Sequence, residues 1–502
     1  MLTNLRLGNF KPFAATEQLP IHPLTLIFGP NSSGKSSLIH GLILARHALE
    51  SGELDVHRTT IGGEAVDLGG FRQYVHRRTA LRRVEWAAEI DAAQLQGRIA
   101  ELLAPAVRIM TSVEIGMEHV ERTTPRAVFD ARTGQFVVAE VPTGELVPSG
   151  PPQVQRYEII VDGNSILRMS RRRDGDLQLD QLDHQHPVFR GVIKAIVETA
   201  TTTERLTTAD YEGADEAITT LVPDIRAQLG KFLPSGLFPS ERSPVVGEQS
   251  MLFPISRGHR KEELAAAMRF FLPRTLDELI RGVNDAVGQE LSRLRYLGPL
   301  RSYPPRHLAF AQHHDPNWFA GGGYAWDVVR RDEHVRNAVN TWLKAPDRLQ
   351  TPYELIVREL VGIDQLEEPL HRGIQEIELG ITDERDPGSY SQGREYDPEA
   401  PTWGILDPEG EAAKLKEMIR GADIDKLHEL ILIDRRSNTI VTHRDVGIGV
   451  SQVLPVLVAA YASRGSILAM EQPEIHLHPA LQAELGDIFI ESALGGVAIL
   501  SS

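Results

Sequence analysis

The sequence predicts an α/β fold in which a mixed or parallel sheet with flanking helices is interrupted by a β-rich and partly helical insertion. Three observations carry this. A compact apolar run at 24–28 ends in Gly29, and beyond Gly34 the apolar residues Leu38, Ile39, Leu42 and Ile43 recur at helical spacing, so a glycine-rich loop joins a strand to a helix. A second apolar run, 466–470, stops at Glu471-Gln472-Pro473-Glu474. Between these ends, from about Val84 to Arg293, short β-favouring runs alternate with turn clusters before helical periodicity returns.

Each element follows in chain order. Residues 2–10 alternate apolar and polar and read as a strand, ahead of the strand at 24–28 and the helix after Gly34. Within the insertion, strands are expected at 84–90, 107–115, 136–141, 156–161 and 165–169, with the proline-, glycine- and serine-rich stretch 142–152 as a turn cluster. Helical spacing covers 186–230 and 261–297, and 383–401 combines proline, glycine and charge in the pattern of a disordered loop. A hairpin at 430–434 and 439–443, a helix at 451–463, the strand at 466–470, a helix at 479–492 and a strand at 496–500 complete the chain. The expected domains are 1–83 and 294–502 as two parts of one head, with 84–293 inserted between them.

Length and composition bound the function. The 502 residues suffice for several domains, and 53 lysines and arginines against 69 aspartates and glutamates leave a net charge of −16 with 41% hydrophobic residues. That balance excludes disorder, collagen and a coiled-coil rod. It also argues against a surface that coats nucleic acid throughout, leaving local contacts such as Arg171, Arg172 and Arg173. The absence of cysteine removes disulfides, thiol catalysis and cysteine-ligated zinc, and fits a reducing, cytoplasmic setting. No signal-peptide pattern opens the chain, and no apolar run approaches the roughly 18 residues of a membrane span, so no membrane partner is expected.

Gly29-Pro30-Asn31-Ser32-Ser33-Gly34-Lys35-Ser36 matches G-x-x-x-x-G-K-[ST] at every position. Its glycines let the backbone wrap a phosphate chain, its amides and the following helix N-terminus supply positive charge, Lys35 reaches the β and γ phosphates, and the Ser36 hydroxyl ligates Mg²⁺. The bland alternative is a glycine turn before an ordinary helix. A buried strand delivering Glu471 beside such a loop is how these folds hold Mg²⁺ through a carboxylate, against the alternative of a core strand that runs into a charged turn. His476 and His478 stand two apart with no further His or Cys cluster nearby, which does not build a zinc site. The turn at 445–452 presents glycine amides ahead of a helix; it either caps the γ-phosphate of a nucleotide held by a second subunit or is an ordinary hairpin-to-helix turn.

Together these residues resemble the ABC-type ATPases of the SMC, RecF and OLD-like group, whose head is a P-loop NTPase fold. Leu5-Arg6-Leu7-Gly8-Asn9-Phe10-Lys11-Pro12-Phe13 resembles the strand and "NF+xF" turn of that group, Gly447 to Gln452 its signature motif, and Glu471 to Pro479 its "DEPExHLHP" Walker B and D-loop. The resemblance implies a head that dimerises around ATP and Mg²⁺. Asn31, Ser32, Ser33, Gly34, Lys35, Ser36 and Ser37 would then hold phosphate and metal, Glu471 the Walker B place, and Gly447, Gly449 and Ser451 would face the partner's γ-phosphate. By the same resemblance Phe13 contacts adenine and Gln73 is a Q-loop residue near the metal.

Three departures matter. Gly447 stands where the signature has serine, leaving only backbone amides, and Gln472 stands where the catalytic glutamate belongs. An amide accepts no proton from water, and losing a general base costs about 10² to 10⁴ in rate. Hydrolysis is therefore expected to be slow unless Glu474 or Glu471 substitutes. Residues 499–502 resemble the strand before the switch histidine, so a truncated chain is expected. The implied function is a dimerising Mg·ATPase in DNA repair or in defence against phage and mobile DNA, working with a separate nuclease or toxin. The alternative is a slow or non-hydrolysing ATP-sensing scaffold that regulates such an effector. A transporter motor is disfavoured, because that class carries a full signature and a catalytic glutamate.

Overall fold

Strand Leu2–Gly8 buries Leu2, Leu5 and Leu7 and pairs antiparallel with Val84–Asp91, from Leu2 opposite Ile90 to Gly8 opposite Glu85. This pairing founds a nine-stranded antiparallel sheet. In the computed structural model, which describes residues 1–15, 18–130, 135–200, 208–239, 260–301, 317–362, 426–442, 446, 448–475, 477, 479–502 and a few isolated positions between 365 and 421, the sheet runs from Leu19–Pro20 through Leu2–Gly8, Val84–Asp91, Arg108–Asp130, Gln135–Val161, Asn164–Arg171, Leu177–Leu182 and Ile225–Leu229 to Pro234–Pro239. Helix Arg260–Ser292 packs on it. Its buried residues Leu272, Leu276, Leu279, Val283, Val287 and Leu291 fall at three- and four-residue intervals, the stripe that an amphipathic helix lays against a sheet. The stripe's polar member is satisfied: Asn284 accepts from the Tyr157 hydroxyl at 2.7 Å and donates to Pro234 O at 2.9 Å.

The chain divides into two compact units, Met1–Ser302 with His314–Ala325 and Ile448–Ser502, and Tyr303–His313 with Trp326–Gly447; the first strand of 84–293 pairs with the N-terminal strand. Three expectations of secondary structure are corrected here. The stretch 142–152 is not a turn cluster. It lies within Gln135–Val161, where Pro142 opposes Thr123 and Pro148 opposes His119, and register shifts between Gly116 and Glu118 and between Glu121 and Thr123 absorb residues that cannot donate to a ladder. The helical stretch 261–297 stops at Ser292, and Leu294–Leu297 becomes a strand. The stretch 186–230 holds Pro187–Ala200 and Thr208–Leu221 as helices and then strand Ile225–Leu229. The loop expected at 383–401 lies outside the described residues.

The second sheet of the same unit carries the site. Leu294–Leu297, Ile467–Met470, Ala498–Ser501 and Leu24–Leu26 lie in that order, every neighbouring pair parallel. Ile467–Met470 is buried at all four positions, as a strand covered on both faces must be. Ala498–Ser501 separates it from the strand that feeds the glycine loop.

The other unit is built on helix Glu333–Lys344, whose N-cap Asp332 accepts from Val335 N. Beside it, Tyr353–Val361, Lys426–Asp434 and Thr439–Val441 form an antiparallel sheet that contains the expected hairpin. Asn340 bonds both backbone groups of Leu355, tying helix to strand.

Candidate nucleotide-binding site

The loop's shape follows from Gly34. It caps helix Lys35–Ser51 with φ 98° and ψ 12°, and a β-carbon there would meet Pro12 Cγ at 2.5 Å and Phe13 Cζ at 3.1 Å, so only glycine fits for both torsional and steric reasons. Ser32 also lies in the left-handed region, at φ 64°. Lys35 Nζ folds over the loop and donates to Gly29 O at 2.9 Å and Pro30 O at 3.1 Å. Phosphate oxygens would take over those bonds.

A cavity of about 450 Å³ brings Asn31, Ser32, Gly34, Lys35, Ser36 and Ser37 together with Lys11, Pro12, Gln472 and Ser502. Ser33 donates its amide to Pro30 O and is not on the cavity wall. Phe13 packs against Gly34 from outside that wall.

Behind the loop stands Glu471, 6% exposed, its amide bonded to Leu297 O at 3.0 Å. Its carboxylate receives the Tyr296 hydroxyl at 3.0 Å, lies 3.0 Å from His40 Nε2 and is hydrogen-bonded by Ser36. Burial opposes its ionisation, but the bonds from His40, Ser36 and Tyr296 outweigh burial and hold the carboxyl below its ordinary range. The same burial, with the Glu471 charge, pushes the Tyr296 hydroxyl far up. Lys11 Nζ sits 2.6 Å from His40 Nδ1, which as acceptor leaves the ring proton on Nε2, facing Glu471. Burial pulls Lys11 down to about 8 in spite of Glu471 and Asp67.

Past the strand, Gln472 is exposed at the cavity with φ 45° and its amide on Ser502 O at 2.8 Å. Glu474 is exposed too, off that cavity, and acts electrostatically on Arg301. Gln73 lines a neighbouring hollow that shares Lys11 with the loop's cavity. Gly449 is half-buried in the first turn of helix Ile448–Ala462, and Ser451 is 4% exposed. Gly447, His476 and His478 lie outside the described residues.

Sequence reasoning missed three groups. His40 and Tyr296 hold Glu471; the signal for His40 was its place four residues after Ser36, on the same helix face. Arg301, 6% exposed, donates to Gln452 O, Pro473 O and Gln472 O at 3.3–3.4 Å and so ties the turn after Glu471 to helix Ile448–Ala462. Burial pulls its guanidinium down to about 10 against the pull of Glu474. A lone arginine after the apolar run Leu297-Gly298-Pro299-Leu300 was its only trace.

The Ser36 hydroxyl and Glu471 carboxylate are hard oxygens already bonded to each other, a donor set that fits Mg²⁺. Among the described residues no helix is long and apolar enough to cross a membrane.

Residues 291–501 match the family model described as "AAA domain, putative AbiEii toxin, Type IV TA system". No curated protein matches. Similar solved structures include an SmcHead bound to the C-winged helix domain of ScpA (TM-score 0.32, 8% identity, covering 100% of this chain and 88% of that one). Another is an Smc head domain with an extended coiled coil bound to the C-terminal domain of ScpA, derived from Pyrococcus furiosus (TM-score 0.31, 9% identity, 100% and 89%). The glycine loop, the parallel sheet and the match of residues 291–501 to an AAA-domain model are together those of a P-loop NTPase fold.

Proposed function

We propose that this chain binds Mg·ATP at the glycine loop and closes into a head-to-head homodimer that acts in DNA repair or in defence against phage and mobile DNA through a separate nuclease or toxin. The observation that carries it is the meeting of Ser36 with Glu471, a loop hydroxyl and a buried, ionised carboxylate supplied by opposite ends of the chain. Lys35 exchanges the carbonyls of Gly29 and Pro30 for phosphate oxygens, and the Asn31 to Ser37 loop wraps the phosphate chain. Ser36 and Glu471 would hold Mg²⁺, which supplies charge neutralisation of the phosphates. The glycine turn of the second copy, with Gly447, Gly449 and Ser451, closes over the nucleotide.

Gln472 reaches the cavity and can orient water, while its amide takes no proton. Glu471 is engaged by three donors and Glu474 stands off the cavity, so neither is an unencumbered base. Turnover is accordingly slow. That same feature favours the second function, an ATP-sensing scaffold in which the ATP-bound dimer is the signal to a toxin or nuclease; the "putative AbiEii toxin, Type IV TA system" description of the matching family model supports a toxin context. Steady-state ATP turnover with and without DNA separates the two. Turnover stimulated by DNA supports the ATPase cycle; tight ATP binding with no turnover supports the scaffold; no ATP binding at all refutes both.

A further inference from the structure

The segment around Gln73 carries charge that the nucleotide site does not use. In a chain of net charge −16, Arg72, Arg77, Arg78, Arg82 and Arg83 fall within one short stretch. Arg82 reaches Asn9 Oδ1 and Arg83 pairs with Glu114 at 3.1 Å, whereas Arg77 and Arg78 are exposed and make no side-chain ion pair or hydrogen bond among the described residues.

Both arginines lie in the left-handed region, at φ 55° and 54°, which costs an L-residue about 1–2 kcal/mol each. Strain of that kind persists only where the surroundings over-determine it. They do here. Lys11 N bonds Tyr74 O at 2.6 Å, His76 N bonds Asn9 O at 2.7 Å, His76 Nδ1 contacts Lys11 O at 2.9 Å, and Phe10 bridges Val75. The buried rings of Phe10, Phe71 and Tyr74 pack at 5.3–5.6 Å beneath. The result is a rigid edge that sets Arg77 and Arg78 beside Lys11 around a hollow of about 550 Å³, with Gln73 and Asp67 on its wall. Three cations face one carboxylate, and Asp67 Oδ1 is already taken by Gly69 N at 2.8 Å.

We propose that Lys11, Arg77 and Arg78 form a site for the phosphodiester oxygens of a nucleic-acid strand, beside the nucleotide cavity. Guanidinium forks on fixed backbone match phosphate oxygens in pairs, and exposed cations bind a polyanion by releasing its counterions. Among the described residues no aromatic ring lines the hollow and its polar groups are mainly cationic, so the phosphate backbone of the strand is what it fits. This deepens the proposed function and rests on it for the choice of nucleic acid as the polyanion.

The test uses the whole chain and an Arg77→Gln/Arg78→Gln double variant, whose substitutions are exposed and leave the packed rings alone. Binding of a fluorescein-labelled DNA duplex is followed by anisotropy across about 50–200 mM salt, and ATP affinity by calorimetry on both proteins. Removing two phosphate contacts should lower the slope of log K against log salt by about 1.8 and weaken duplex binding at least about tenfold at low salt, with ATP affinity unchanged. Duplex binding that is absent in wild type, or equal in affinity and slope in the double variant, overturns the site. A fall in ATP affinity with duplex binding intact also overturns it, by making the arginines part of the nucleotide pocket. Wild type that binds duplex but no ATP refutes the nucleotide function and leaves the arginine site standing.

Discussion

At the residue scale, Lys35 is the cation that the loop holds over its own carbonyls, and Lys35→Ala should lower ATP affinity about a hundredfold or more, since each charge-assisted bond to phosphate contributes about 1.5–3 kcal/mol. Calorimetry checks this, and unchanged affinity would remove the loop from the site. Gln472→Glu places a carboxylate at the cavity and should raise turnover by about 10² or more while shortening the life of the ATP-bound dimer. If wild type already turns over at about 10 per second and the substitution is neutral, another residue is the base. Lys11 makes a pH-dependent prediction. Its folded value is about 8 against an ordinary 10.5, with burial as the main cause. Below pH 8 both states carry the proton and the folded chain bears the full cost of the buried charge. Between 8 and 10.5 only the unfolded chain carries it, so this group adds stability as pH rises across that window. Lys11→Met should therefore melt higher than wild type at pH 7, the gap closing as pH climbs past 8, and should bind ATP more weakly. A gap independent of pH would assign the effect to packing alone.

At the element scale, the long helix Arg260–Ser292 is attached to the nine-stranded sheet by its apolar stripe and by one buried amide. Asn284→Ala removes the acceptor of the Tyr157 hydroxyl, which keeps its contact with Thr111, and the side-chain donor to Pro234 O, and each buried hydrogen bond lost in this way costs about 1–3 kcal/mol. Urea unfolding should show a loss of about 2–4 kcal/mol, whereas Tyr157→Phe, which leaves Asn284 bonded to Pro234 O, should lose less. Equal losses would mean that the hydroxyl carries the whole effect. The strands around the glycine loop are short by comparison. Leu24–Leu26 and Ile467–Met470 are brief parallel strands, and their neighbour Ala498–Ser501 accepts from Ile27 through Ser501 O while Ser502 bonds Met470 O and Gln472 N. The turn that carries Gln472 is thus pinned from two sides, by Ser502 and by Arg301.

At the scale of the whole molecule, a nucleotide that completes two half-sites stabilises the dimer that contains it. ATP with Mg²⁺ should raise the mass and radius seen by light and X-ray scattering, and Gly449→Asp, which sets a negative charge toward the γ-phosphate, should prevent the change while leaving binding to the loop intact. Identical scattering with and without a non-hydrolysable analogue would count against the glycine turn as the facing surface.

The shape of the glycine loop and the acidic end of Ile467–Met470 were legible in the sequence because their signals are local: a left-handed glycine, a lysine and a hydroxyl at fixed spacing, and an apolar strand that runs out at a carboxylate. Periodicity likewise marked the helix after the loop and the hairpin near residue 435. It could not show that Val84–Asp91 pairs with Leu2–Gly8, or that 142–152 continues a strand, since both depend on which distant backbone supplies the hydrogen bonds. Nor could it place His40, Tyr296 and Arg301 around Glu471 and its turn. Residue type and local spacing determine what a segment can bind; only packing across hundreds of residues decides which buried donors surround a carboxylate, and hence that Glu471 stays ionised although its side chain is buried.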